Sequence, residues 1–380
     1  MWRNMQGTWQ QQLGQTGIQE LHIIDEAFNL IGIIVYFQSL RIKRSHYGVG
    51  EFELHMHPAD TGAEALAVDR ILFPVGRPDK AMLIESLERR ENKDELIAKG
   101  RMLKGLTARR ICVPPESASA TYGYDRITAD AESVLHHYVR NNLVAPEDAK
   151  RRMDCIALGE NLKRGMQIPW EARFEALDVL LGEIAEYADM GWDILPDFEA
   201  KRFVFEANPG RDLSQENMDG GRVTFAIKLG NTIATAYAMS VRDARTTAYV
   251  GGSGEDENRI ILAVGTDAQG LTRREIWVDA GGQEAAEDLQ YEGARRLSEH
   301  KQLETITCEV LDRGPMRYGR EWDLGDLVTI VTARAQMSAR IIMIDEAYES
   351  GGVFNLHVTF GDPPRDIIRY VLNKTKQRIV

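Results

Sequence analysis

Some residues in this chain have types and spacings that could do chemistry. The stretch AYVGGSGEDENRIILAV, residues 248–264, clusters Gly251, Gly252, Ser253 and Gly254 as a phosphate cradle would. A Walker-type cradle needs Lys and then Ser or Thr directly after its glycines, opening a helix. Here Glu255, Asp256 and Glu257 follow, which repel a polyphosphate, and RIILAV after them has strand composition. The spacing therefore predicts a hairpin in which glycine supplies positive φ. His55 and His57 are two apart on an expected strand and share a face, yet no third metal ligand is indicated. His136 and His137 are adjacent on an expected helix, point about 100° apart and chelate poorly. Asp323 and Asp326 in EWDLGDLVTI read as a turn that launches a strand rather than as a glycosidase pair. Neither a Gly-x-Ser-x-Gly elbow nor an HExxH pair is present. Cys112, Cys155 and Cys308 are scattered and odd in number, which suits neither a disulfide framework nor a thiolate metal site. The expectation is no catalytic, cofactor-binding or metal-binding residue, and no enzyme.

The elements that carry these residues follow from periodicity. Strands are expected over 20–24, 30–37, 40–43, 51–57 and 81–88, and residues 51–56 alternate polar and apolar as a half-buried sheet requires. In LIAKGRMLKGLTARRI, Leu103, Leu106 and Ile111 suit the inner side of a short helix. Between residues 128 and 191 the period becomes helical. Thr128 is the expected N-cap of a first helix, followed by Asp130 and Glu132, with Ala131, Val134, Leu135, Tyr138 and Val139 as its apolar stripe. A second helix is expected from near Pro169 to Gly191, lined by Trp170, Phe174, Leu177, Leu181, Ile184 and Ala188. Strands resume over 202–206, 223–229, 233–241, 246–250, 259–264 and 275–278. A helix over 284–300 follows, with Ala286, Leu289, Gly293 and Leu297 facing inward, then strands over 305–311, 327–332, 340–345 and 353–360. The tail IIRYVLNKTKQRIV suggests a short helix with a basic end.

Composition bounds the partners. A net charge of −12 over 380 residues is the wrong sign for a nucleic-acid reader. The one dense basic patch, Arg41, Lys43 and Arg44, is expected to be a solvated face or a contact with an acidic partner. The longest apolar run, residues 30–37, has the length of a buried strand, so no membrane insertion is expected. The N-terminus lacks the apolar core of a secretory signal, which predicts synthesis and retention in a cytoplasm.

The order of several pieces carries a family resemblance. They are LHIIDEAFNLIGIIVYFQSLRIKRSHYGVGEFELHM with Gly48 to Phe52, then MLIESLERRE, and the ending around Gly100, Leu103, Leu106, Arg109, Arg110 and Ile111. ANPGRDLS, AYVGGSGEDENR, RREIWVDA and WDLGDLVTI follow in sequence. Over about residues 18–365 the chain resembles the tail-hub proteins of long-tailed bacteriophages, similar to the baseplate hubs of contractile-tailed phages. The resemblance implies a β-rich α+β fold with two tube-type β-barrel domains, a helical domain and a smaller insertion. It places an N-terminal extension at 1–17, the first tube domain at 18–112 and a helical or mixed domain at 113–200. The second, discontinuous tube domain takes 201–245 and 303–365, the insertion 246–302 and the tail 366–380. It implies a homotrimer whose pseudo-sixfold ring joins a hexameric tail tube to a threefold tip at the virion tail tip. Its neighbours would be distal tail, tail-tube, tape-measure and tip or fibre proteins. DNA would pass the lumen without specific binding, which an acidic surplus suits. Many members continue into a lytic or receptor-binding domain, for which the end at Val380 leaves no room. Two rival readings rank behind: a carbohydrate- or receptor-binding module using exposed aromatics such as Trp2, Trp9 or Trp322, and a peptidoglycan-degrading tail enzyme.

Overall fold

Short apolar runs punctuated by Gly, Pro and Asp dominate the computed structural model, which describes residues 18, 20–116, 123–218, 220–254, 256–281, 285–312, 316–332, 336–350 and 353–361. The N-terminal extension with Trp2 and Trp9, and the basic tail, lie outside the described residues. The first strands are β1 (Leu21–Ile24), β2 (Leu30–Ile34), β3 (Ser39–Ser45), β4 (Glu51–Met56), β5 (Ile71–Pro74), β6 (Met82–Arg90) and β7 (Glu95–Met102). They pair in the order β3-β4-β7-β6-β5-β1-β2, all antiparallel. Alternation in β4 puts Phe52, Leu54 and Met56 in a core with Leu21, Ile23, Leu40, Ile42, Leu72 and Ile84. In β1 and β5 the other face is buried as well, with Ile24, Ile71 and Phe73 in a second core. Strand β5 is therefore apolar without a break, whereas β1 carries the buried His22 among its apolar residues.

Two expectations here are corrected. The run over 30–37 is not a buried strand: β2 ends the sheet, and Ile31, Val35 and Tyr36 are exposed. The segment after residue 95 begins as strand β7, and the helical part is a 3-10 turn over Leu103–Arg109. Leu103 and Leu106 point inward, whereas Ile111 lies beyond the turn and is 46% exposed.

The middle of the chain comprises β8 (Asp125–Asp130), α1 (Ala131–Val139), β9 (Ile156–Leu158), β10 (Gln167–Ala172), α2 (Leu177–Ala188), β11 (Gly191–Asp197) and β12 (Arg202–Asn208). The stripe expected on the first helix is buried in the second core. Its cap is Asp130 rather than Thr128, since Asp130 Oδ1 accepts the Ser133 amide at 2.9 Å. Thr128 sits within β8, opposite Pro169 of β10. The second helix thus does not start near Pro169. That proline belongs to a two-stranded sheet, where its missing N–H leaves no ladder bond unmade on the unpaired side. Phe174 then takes φ 58°, and the helix begins only at Leu177. It closes at Asp189 with φ 51°, while Gly191 already opens β11. Trp170 and Phe174 are therefore not on the helix.

The remaining strands are β13 (Thr224–Ala226), β14 (Thr232–Ser240), β15 (Thr247–Gly251), β16 (Ile261–Gly265) and β17 (Glu275–Asp279). Then come helix α3 (Ala286–Glu299) and β18 (Leu303–Val310), β19 (Leu327–Val331), β20 (Gln336–Glu349) and β21 (Val353–Gly361). The order β14-β18-β21-β20 continues through β3 into the first region, so one thirteen-stranded sheet draws on both ends of the chain. Among the described residues this ladder is an open path from β14 to β2.

By contact density the chain divides into a larger unit, 1–235 with 308–359, and a smaller unit, 236–307 with 360–380. In the smaller unit β15 pairs antiparallel with β16 and parallel with β17, and α3 covers one face through Leu289 and Leu297. Of the inward positions expected on that helix, Leu289 and Gly293 are buried and Ala286 is exposed. Among the described residues no helix is long and apolar enough to cross a membrane.

Candidate functional site: a buried ionic seam

The junction between the two ends of the sheet is a seven-pair antiparallel ladder, from Met343↔Ser45 to Glu349↔Ser39. Directly opposed residues share a face, so Leu40, Ile42 and Arg44 line up with Tyr348, Glu346 and Ile344. Arg41, on the reverse face, donates from Nε and Nη2 to the two carboxylate oxygens of Asp345. The basic patch is therefore not a solvated face. Arg44 is 5% and Lys43 8% exposed, and the acidic partners belong to the same chain.

Arg44 donates to Asp323, to Tyr318 Oη at 2.6 Å and to Asp79 at 3.2 Å. The loop GRPDK brings in Arg77, whose Nε and Nη2 grip Asp79 at 2.8 and 2.6 Å and whose Nη2 also reaches Asp323 at 3.0 Å. Lys80 pairs with Glu346 and donates to Tyr348 Oη at 3.2 Å. Tyr318 donates to the second Glu346 oxygen at 2.5 Å. The Tyr318 ring lies 4.8 Å from Lys80 Nζ and 5.4 and 5.8 Å from the guanidinium carbons of Arg77 and Arg44. Three cations thus meet three carboxylates over one aromatic ring, with every carboxylate hydrogen-bonded.

The electrostatics describe a lock rather than an acid–base pair. Burial would raise the Glu346 carboxyl, but Lys80, Arg44 and Arg77 outweigh it and hold the group at about 2. Burial and the neighbouring Arg77 push the Lys80 ammonium down to about 8, against the pull of Glu346. Asp79 is held well below the usual carboxylate range by Arg77 and Arg44, although burial opposes them. Tyr318 and Tyr348 are raised by burial and stay protonated as donors. General acid catalysis needs a carboxyl raised toward neutrality; Glu346 and Asp79 are held down, whereas burial raises the nearby Asp193 against the pull of Lys104. A cleft of about 750 Å³ opens beside the seam, lined by Arg44, Arg77, Asp79, Asp193, Arg164 and Asp323 among others. Its arginines are already engaged; Arg164, for example, pairs with Glu132.

The residues singled out in the sequence distribute as follows. Gly251 to Gly254 form the β15–β16 connection: Gly251 opposes Ile261, the Gly252 amide donates to Ile260 O at 2.8 Å, and Gly254 takes φ 100°. The hairpin reading holds. Asp323 and Asp326 do lie in the turn before β19, where Asp326 accepts the Asp323 amide at 2.8 Å and the Arg211 guanidinium at 2.6 Å. The same turn presents Asp323 to Arg44 and Arg77, which motif logic missed. His55 stands between Glu53 and Glu95 at 2.6 and 2.7 Å, and Glu53 before Glu95 raises its pKa. Both ring nitrogens are thereby occupied. His57 Nδ1 accepts the Ala59 amide at 3.1 Å, His137 faces Asp125 at 2.7 Å, and His136 packs on Phe205. Among the described residues no group of three or more His, Cys, Asp or Glu is placed to hold a metal. Trp322 is not an exposed aromatic: it is fully buried against Phe225 and Tyr318. Glu346 carried one usable signal, a lone acid at an inward register position of the β-branched run RIIMIDEAYE. Lys80 and Arg77 carried none.

No curated protein matches the chain. Among solved structures, the 43 kDa tail protein of prophage MuSo2 from Shewanella oneidensis is similar with TM-score 0.57 at 12% identity, over 90% of this chain and 98% of that one. A tail protein from Neisseria meningitidis MC58 gives 0.55 at 14%, over 90% and 96%. The prophage tail protein gp18 of Listeria monocytogenes EGD-e gives 0.54 at 11%, over 94% and 98%. At such identities the likeness establishes a shared fold. The family model described as Siphovirus ReqiPepy6 Gp37-like protein matches residues 20–362, which together with the tail-protein fold identifies the chain as a member of that family.

Proposed function

We propose that the chain is a structural, non-enzymatic hub subunit of a bacteriophage tail tip or baseplate, acting as a homotrimer that joins a hexameric tail tube to the tip. The observation that carries this reading is the seam. Two stretches some 300 residues apart, β3 and β20, are fused into one sheet and locked by buried charge. A single polypeptide then supplies two neighbouring sectors of a ring, and three copies supply six. In this reading residues 18–112 form one tube domain, and 201–245 with 303–365 form the other. Residues 113–200 and 246–302 decorate them. Among the described residues β2 and β14 end the ladder, and a strand edge left open is a template for the next copy. The neighbours are distal tail, tail-tube, tape-measure and tip or fibre proteins. DNA passes the lumen unbound, in keeping with the net charge of −12.

Light scattering of purified protein, with negative-stain imaging, tests the assembly. The expected particle has three times the chain mass, threefold symmetry and a central hole. A chain that stays monomeric at high concentration, and also fails to co-sediment with its tail-tube protein, ends the proposal.

A further inference from the structure

The three-stranded sheet of the smaller unit has two unlike faces. One packs Ala248, Val250, Leu262, Val264, Ile276 and Val278 against α3. The other is open, with Trp277 51% and Ile261 56% exposed. Register places Tyr249 of the central strand directly between Ala263 and Trp277, so the two aromatic residues are neighbours on one face of adjacent strands. The indole leans across the centre of the sheet: a Cβ at Gly251 would sit 2.6 Å from its Cη2, so only glycine lets the ring settle there. Arg259 lies over the indole at 5.3 Å, is held by the Gly251 and Gly252 carbonyls at 3.1 Å, and pairs with Asp279. Arg273 lies 5.9 Å from the Tyr249 ring, donates to its hydroxyl at 3.0 Å and pairs with Glu275 at 2.5 Å.

We propose that this face binds an uncharged saccharide chain. Flat aromatic faces beside fixed donors and acceptors complement a sugar ring, which offers apolar C–H faces and a rim of hydroxyls. Charge argues against polyanions. Arg259 and Arg273 already have their own carboxylates, so among the described residues neither guanidinium on this face is left to displace counterions from a phosphate backbone. Size argues against a protein. Five residues at about 3.3 Å by three strands at about 4.8 Å give roughly 240 Å², against about 800 Å² per partner in a stable protein interface. A short run of sugar rings fits that footprint. Asp279 and Glu275, with side chains 66% and 49% exposed, leave carboxylate oxygens at the rim to accept from hydroxyls.

Calorimetric titration of the full chain with maltohexaose, cellohexaose and chitohexaose, beside an oligothymidylate, tests the assignment. At least one saccharide binds saturably, and Trp277→Ala weakens it roughly tenfold or more. Trp277→Phe, which keeps an aromatic face and guards against misfolding of the alanine variant, gives a smaller loss. The proposal is overturned if none of the three saccharides binds, or if binding is the same with and without the indole. It is equally overturned if the oligothymidylate binds in a Trp277-dependent way, or if Trp277→Ala abolishes self-association in sedimentation, which would make this a surface between copies.

Discussion

Two regions of this molecule set guanidinium groups against an aromatic ring and a carboxylate, and they differ in solvent. In the seam Arg44 and Tyr318 are buried and Glu346 fully so, while Arg77 beside them is a fifth exposed. In the small unit Arg259 and Trp277, with Arg273 and Tyr249, keep water on one side. In the seam, removing one partner strands a desolvated charge; on the open face water takes the vacated place. The same three groups therefore act as a structural lock in one setting and as an adaptable surface in the other.

The largest expected effect is in the seam. Glu346→Ala leaves Lys80 and Arg44 facing each other without their shared acid and costs about 3–5 kcal/mol in urea unfolding. A loss below about 1 kcal/mol would put the seam in the class of exposed pairs and erase the contrast. Acid titration probes the same group. Its folded-state value, about 2, lies below the ordinary 4.5, so the unfolded chain takes up the proton first. The stability it contributes is complete above the unfolded value and drains as the pH falls from 4.5 toward 2. Unfolding free energy measured across that window should fall more steeply with decreasing pH for the native chain than for Glu346→Gln.

A joint Lys80→Met, Glu346→Leu replacement sharpens the comparison, because removing both charges leaves neither stranded. It recovers at least about 2 kcal/mol of the single-variant loss by the same unfolding assay. Arg41→Ala tests the reverse face of the ladder. Its guanidinium is a third exposed, so the pair with Asp345 loses about 1 kcal/mol. The smallest effect belongs to the small unit: Arg259→Ala shifts thermal unfolding by less than about 1 kcal/mol, since its partner Asp279 is solvated. A change as large as that of Glu346→Ala would mean that the open face holds the fold together.

Several features are legible in the amino-acid order alone. The glycine-rich, acidic connection between two apolar runs predicts a hairpin, and β15 and β16 pair antiparallel across it, with Gly254 at positive φ. The stripe over residues 131–139 predicts a helix at a period of 3.6, and that stripe is buried as one face. The start of the second helix is not legible, because Pro169 suits both a first helical turn and an unpaired strand edge. Pairing with Thr128, some 40 residues away, makes the choice. Strand β7 is hidden because ELIAKGRM alternates poorly: its pairing with β4 and β6 buries Ile97 and Ala98 regardless of local pattern.

The sequence by itself determined part of the local grammar: many of the strands, the stripe of the first helix, the glycine-rich turn, and a family resemblance carried by the order of its segments. These depend on neighbours a few residues apart, where backbone preference and side-chain period act directly. Only the tertiary structure decided that Arg44 would meet Asp323 and Glu346, and that Trp322 would be core while Trp277 faced water. Ion pairing and burial depend on which distant segments share a space, and hydropathy assigns the same value to a tryptophan in either place.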